Sequence, residues 1–218
     1  MTGRFYLIAT AADIKKTFKV EHVPDLVPRY NIAPTQSSPI VVVADGVRRI
    51  DMARWGLVPS WSRDLSLGAR MFEAPAEAIT EKPTFREPFR AQRCLVPASG
   101  FYEWQTRGAK KLPYRIAVRG GRVFAFAGLW EKWEPDVGDP VETFTIITTR
   151  ANKLVNEVHE RMPVIIAPAD FQRWLSSPEQ TAAKLLVPYT GAMTIVPVSD
   201  RVNDLKEDDV GLIAAREA

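Results

Sequence analysis

Two-residue glycine turns set between β-rich runs constrain this chain more than any other feature of its sequence. Residues 40–44 and 47–55 flank Asp45-Gly46, a pair that accepts the positive φ angles of a tight hairpin. Residues 114–119 and 122–131 flank Gly120-Gly121, which predicts a second hairpin. Residues 3–9, 141–148, 162–167 and 192–198 read as further strands, the last followed by a polar tail. Helical signals are short. Thr10 with Asp13 forms a capping-box pattern. Residues 77–81 are expected to stop at Pro83, 85–92 to be limited by Pro88, and 151–158 to be helical. Pro168 is placed to start a helix through 175. Pro24, Pro28, Pro34 and Pro39 keep their stretch irregular and extended, and a loop runs from Trp55 to about Met71. This pattern predicts an α+β fold. We expect one domain over residues 1–218, with a largely antiparallel, curved, barrel-like sheet and short peripheral helices.

Hydrophobic residues make up 46% and charged residues 25%, a balance that suits a soluble globular chain able to bury a core. No apolar run approaches the roughly 18 residues of a membrane helix. No signal peptide precedes the first strand, so no membrane association and a cytoplasmic location are expected. The single cysteine, Cys94, cannot form an internal disulfide and sits in an apolar run, where a buried structural thiol is expected over a nucleophile. With only His22 and His159, no cluster has metal-ligand spacing, and neither a metal nor another cofactor is expected.

The net charge of +3 permits nucleic-acid binding without requiring it. Arg48, Arg49 and Arg54 precede Trp55 and Trp61, and Arg63 and Arg70 follow. Arginines interleaved with aromatics suit phosphate contact and base stacking, and they equally suit a solvated basic face beside core tryptophans. In Gly100-Phe-Tyr-Glu-Trp104, alternation puts Phe101 and Glu103 on one face and Tyr102 and Trp104 on the other. If Phe101 faces a core, the Glu103 carboxylate needs a partner or a role there; on an edge strand it would lie in solvent. His159, just before Arg161-Met-Pro163, suits either proton transfer or a structural hydrogen bond. Thr2 is small enough to permit removal of Met1. An N-terminal threonine can act as a nucleophile with its own amine as base, and it can equally be an ordinary processed terminus.

Several segments, kept in order along nearly the whole chain, resemble the SOS-response-associated peptidases, also called abasic-site processing proteins. They include Tyr30-Asn-Ile-Ala-Pro-Thr-Gln36, Trp55-Gly-Leu-Val-Pro-Ser-Trp61 and Arg93-Cys-Leu-Val-Pro-Ala98. Gly100-Phe-Tyr-Glu-Trp104, His159 with Arg161-Met-Pro-Val164, and Val202-Asn203 continue the series. The resemblance implies recognition of abasic sites in single-stranded DNA. In that family a cysteine after the initiator methionine captures the open sugar aldehyde as a thiazolidine. Carried over, Glu103 and His159 are the proton-transfer pair, Arg4 and Arg161 hold phosphates, and Trp55 and Trp61 lie in the DNA-binding loop.

Three site positions depart from the family pattern. Thr2 stands for the cysteine, Glu73 for a site asparagine, and Pro75 for a phosphate-binding arginine. A hydroxyl is a weaker nucleophile than a thiolate, and a carboxylate at Glu73 favours the charged amine and repels phosphate. These changes predict weakened or altered cross-linking, such as a reversible Schiff base. The runner-up is a damage-associated single-stranded DNA binder that has lost the reaction. A third reading is an acidic pocket of Glu73, Glu103 and His159 that takes a cationic peptide or amine.

Overall fold

The computed structural model describes residues 3–121 and 123–216. In chain order the strands are β1 (Phe5–Leu7), β2 (Arg29–Ile32), β3 (Ser37–Ala44), β4 (Val47–Trp55), β5 (Glu73–Pro75) and β6 (Arg93–Ala98). They continue as β7 (Gly100–Arg107), β8 (Lys110–Val118), β9 (Phe124–Trp133), β10 (Val141–Arg150), β11 (Arg161–Pro163), β12 (Ile165–Ile166) and β13 (Met193–Pro197). Helices are few: α1 (Ala11–Phe18), α2 (Pro83–Ala91), α3 (Phe171–Ser176) and α4 (Glu179–Ala183).

Strands β10, β4, β3, β6 and β9 pair in that order, and β9 pairs back to β10, which closes a barrel. Closure removes the exposed sheet edges that would otherwise template aggregation. Against it lies a five-stranded sheet in the order β13-β8-β7-β1-β2, antiparallel throughout. The expected α+β architecture with a curved, mostly antiparallel sheet is what forms; the parallel pairs are β10 with β4 and with β5.

The first hairpin forms as its sequence dictates. Asp45 and Gly46 take φ of 50° and 78°, and β3 pairs with β4 from Ala44↔Val47 outward. The capping box at Thr10 and Asp13 also forms, with the Asp13 amide donating to Thr10 Oγ1 at 3.1 Å. The second hairpin does not. β8 pairs with β7 across Gly108-Ala109 and with β13 on its other side, so neither edge is left for β9, which enters the barrel instead.

Other differences have local causes. Residues 151–158 hold only a 3₁₀ turn, Val155–Glu157, because the Asn152 side chain accepts from the Val155 amide and donates to the Tyr189 carbonyl. The 162–167 strand splits into β11 on β10 and β12 on β9, wedging in where the β9–β10 pairing ends. Residues 76–78 form a 3₁₀ turn, and Pro83 begins α2, which continues through a buried Pro88.

The core lies between the barrel and the small sheet. Phe5, Phe101 and Ile116 are fully buried in adjacent strands and face it together. Phe5 meets Trp55 edge-on at 5.1 Å and Phe126 at 5.8 Å. Each such ring contributes about 1.5–3 kcal/mol of burial. The opposite face of the sheet carries Tyr6 and Tyr102, covered by Val198, Val202 and Leu212. The tail after β13 is therefore not merely polar: its apolar residues cover a sheet face, and Asp208 accepts from the Arg29 side chain and the Tyr30 and Asn31 amides.

Candidate functional site

Glu103 lies on β7, an interior strand between β1 and β8, and is 1% exposed. The edge-strand reading of this carboxylate is thereby excluded. Alternation works as the sequence implies: Phe101 and Glu103 share the inward face, where Glu103 sits opposite Tyr114 of β8. On the other side, Phe5 pairs with Phe101 and the Tyr102 amide donates to the Arg4 carbonyl at 3.0 Å. Continuing that antiparallel register sets Gly3 opposite Glu103.

An open cleft of about 610 Å³ spans Glu103, Trp104, Thr106, Lys111, His159 and Asn203. His159 reaches it from the turn that precedes β11. Its Nδ1 lies 3.0 Å from the Arg161 amide nitrogen. The same nitrogen lies 3.3 Å from the Arg161 carbonyl, so the tautomer sets which of the two contacts is a hydrogen bond. Gln105 Nε2 donates to the Glu157 carbonyl at 2.6 Å and ties β7 to the segment that carries His159. Trp104 Nε1 donates to Asn203 Oδ1 at 2.9 Å.

Glu73 lies on β5, where it pairs with Ile146 of β10. Burial pushes its carboxyl pKa up, and the Glu103 charge pushes the same way, while Arg161 and His159 oppose. Glu73, Glu103, His159 and Arg161 are thus gathered into one electrostatic cluster from four separate strands and turns. Pro75 ends β5 and leads into the 3₁₀ turn at 76–78.

The two arginines expected at phosphates are both engaged by the protein. Arg161 makes a bidentate pair with Glu77, at 2.8 and 3.0 Å, and donates to the Thr148 carbonyl at 2.8 Å. Arg4 donates to Asn31 Oδ1 at 3.0 Å and to the carbonyls of Val202 and Asn203, which fastens β1 to the tail.

The two tryptophans part company. Trp55 is fully buried, stacked on Phe144 with ring centroids 6.2 Å apart, and donates to the Phe72 carbonyl at 2.7 Å. No base can stack on it, which corrects its place in a DNA-contacting set. Trp61 is 68% exposed. Its loop is held from below: the Ser60 amide donates to Glu131 Oε2 at 2.6 Å and Trp133 Nε1 to the Ser62 carbonyl at 2.7 Å. The Val58 amide donates to Thr143 Oγ1 at 3.0 Å.

Arg63 and Arg70 are exposed on the same loop, whereas Arg48 donates to the Phe18 carbonyl and Gln172, and Arg49 pairs with Asp51. The basic run therefore divides between the loop and the hairpin.

Sequence reasoning did not single out Gln105, Asn203, Glu77, Lys111 or Glu131. Asn203 lies in a quoted segment and Gln105 follows the aromatic strand, but only the folded chain brings them to the cleft. Cys94 is completely buried and its thiol pKa is raised well above the usual range by burial. Among the described residues, no group of His, Cys, Asp and Glu could hold a metal, and no helix is long and apolar enough to cross a membrane. Thr2 lies outside the described residues.

Comparison with known proteins gives a consistent result. Residues 1–205 match the family described as SOS response associated peptidase. The chain is 40% identical over 98% of its length to abasic site processing protein YoqW of Bacillus subtilis, covering 99% of that protein. It is 33% identical to abasic site processing protein HMCES of Gallus gallus, over 83% of this chain and 64% of that one. A Bacteroides thetaiotaomicron protein solved by X-ray crystallography superposes with a TM-score of 0.89 at 29% identity, covering 98% of this chain and 99% of the other.

Proposed function

The chain belongs to the SOS response associated peptidase family, and on that premise we propose that it recognises abasic sites in single-stranded DNA and reacts with them through its processed N-terminus. The supporting observation is the cluster of Glu103, His159, Glu73 and Arg161, reached by a β1 register that sets Gly3 opposite Glu103. Thr2 is one peptide bond from Gly3.

Once Met1 is removed, the neutral Thr2 amine attacks the sugar aldehyde carbon and the carbonyl oxygen takes up a proton. Loss of that oxygen as water leaves an iminium, and the pair Glu103 and His159 carries the protons in and out. A thiol at position 2 would close on the iminium to a durable ring. The Thr2 hydroxyl closes an oxazolidine that reopens readily, so the adduct is reversible. Glu73 favours the charged, unreactive amine and repels phosphate, and Pro75 offers no cation, so both weaken the reaction. Trp61, Arg63 and Arg70 supply the exposed stacking and phosphate contacts of the DNA face.

Borohydride reduction of the processed protein mixed with an abasic single-stranded oligonucleotide tests this directly. The expected product is a reduced adduct at Thr2 that is absent without reductant. Thr2→Cys is expected to give a lasting adduct without borohydride. Failure to trap any adduct in the unaltered chain removes the Schiff-base reading.

A second reading, a damage-associated DNA binder without the reaction, rests on Trp61, Arg63 and Arg70, which are exposed on a loop that needs no chemistry in the cleft. It predicts salt-sensitive binding to single-stranded DNA that Thr2→Cys does not change. The acidic-pocket reading, with a cationic ligand at Glu73, Glu103 and His159, ranks behind both because the exposed loop stays basic and aromatic.

A further inference from the structure

The five-stranded sheet carries a second concavity on the face opposite Glu103. Odd-numbered residues of β8 point there: Arg115 lies beside Tyr102, and Ala117 beside Thr194 of β13. With Tyr6, Ile8, Arg119 and Ile213 they line a pocket of about 520 Å³, within the roughly 300–1,000 Å³ span of small-ligand sites. Gly100 makes the arrangement possible. A Cβ there would come within 2.2 Å of the Tyr6 hydroxyl, so its absence lets the Tyr6 ring lie across the strand beneath the pocket.

The walls are mostly apolar, from Ile8, Ala117, Val118 and Ile213, and the charged side chains that line it are Arg115, Arg119 and Asp13. The Arg115 guanidinium pairs with the Tyr6 hydroxyl, while its buried Nε has no acceptor among the described residues. Buried donors are rarely left that way, least of all on a permanently charged guanidinium. The Asp13 carboxylate at the rim is used in the cap of α1, where it accepts from the Thr10 amide and hydroxyl. A mostly apolar cavity bordered by guanidinium groups fits an apolar ligand that carries an anionic group.

We propose that this pocket binds a small organic anion, a carboxylate or phosphate monoester on an apolar body, with Arg115 as its charge partner. The site is distinct from the cleft of Glu103 and His159, with which it shares no lining residue, and it does not depend on any reaction there.

Phenyl phosphate and phenylacetate serve as probes, titrated into the full chain and followed by calorimetry and by NMR. The expected result is saturable binding of at least one probe, with shift changes at Tyr6, Ala117, Thr194 and Ile213. The more tightly bound probe identifies the headgroup. Arg115→Met is expected to weaken binding roughly tenfold or more, as for loss of a charge-assisted hydrogen bond. Arg119→Met, on the exposed rim, is expected to weaken it less, and it keeps the test open if Arg115→Met fails to fold. No saturable binding by either probe, equal affinity in a folded Arg115→Met, or shifts centred on Lys111 and His159 overturns the proposal. Displacement of both probes by undamaged single-stranded DNA does so as well.

Discussion

Glu103 and Glu131 are two buried carboxylates in closely similar local sequence, Gly100-Phe-Tyr-Glu103 and Gly128-Leu-Trp-Glu131. Both lie on interior strands, 1% and 7% exposed. Glu131 spends one carboxylate oxygen on the Ser60 amide, and it sits under the loop that presents Trp61. Burial raises its pKa and the Ser60 hydrogen bond pulls it back. Glu103 instead borders an open cleft shared with His159. An aromatic strand with one glutamate thus leaves the role of its carboxylate open. Whether it braces a loop or faces a substrate depends on what the rest of the chain brings to it.

The sharpest test of that contrast is kinetic. Under the proposed function, Glu103→Gln is expected to slow borohydride-trapped adduct formation by about 10²–10⁴-fold, the usual range for a lost proton-transfer group. Glu131→Gln keeps an acceptor for Ser60 and is expected to leave the rate unchanged. Equal losses in the two variants would collapse the distinction.

The tryptophans at the ends of the braced segment repeat the contrast between support and surface. Trp55→Ala is expected to cost about 3–5 kcal/mol in denaturant unfolding. Trp61→Ala should leave stability within about 0.5 kcal/mol and weaken single-stranded DNA binding by about 1–3 kcal/mol. If Trp61→Ala binds DNA normally, the exposed ring has no part in recognition.

Glu131→Ala leaves the Ser60 amide without its buried acceptor and is expected to destabilise the chain by about 1–3 kcal/mol. Unchanged stability in urea would remove the bracing role.

The smallest effect concerns pH. The native state holds the Glu73 proton to higher pH than the unfolded chain does, because burial and Glu103 raise its pKa. Stability therefore falls as pH rises from the ordinary glutamate value through the raised native one. Glu73→Gln should flatten that part of the melting-temperature profile. A profile identical to that of the unaltered chain would show that Glu73 is not desolvated.

Much of the fold was legible wherever a short stretch decides its own structure. Asp45-Gly46 needs only its two backbone conformations, and Thr10 with Asp13 needs only one turn of helix. Glycine at 120–121 was misleading because a turn signal says that the chain bends, not which strand edge is free to receive it. Within the candidate site, Glu103 and His159 stood out from residue type and motif. Their cleft neighbours Gln105 and Asn203, the occupation of Arg161 by Glu77, and the burial of Trp55 did not. These depend on contacts between residues far apart in the chain, and local periodicity carries no information about them.

The sequence alone determined the strand-rich α+β class and the single face shared by Phe101 and Glu103. Alternation, turn chemistry and residue identity are properties of neighbours in the chain. Tertiary structure decided that β9 closes a barrel with β10, that Glu103 borders a cleft while Glu131 braces a loop, and that Arg115 borders a pocket on the other face. Those outcomes follow from which edges were already paired and which donors were already used, conditions that exist only once the whole chain has packed.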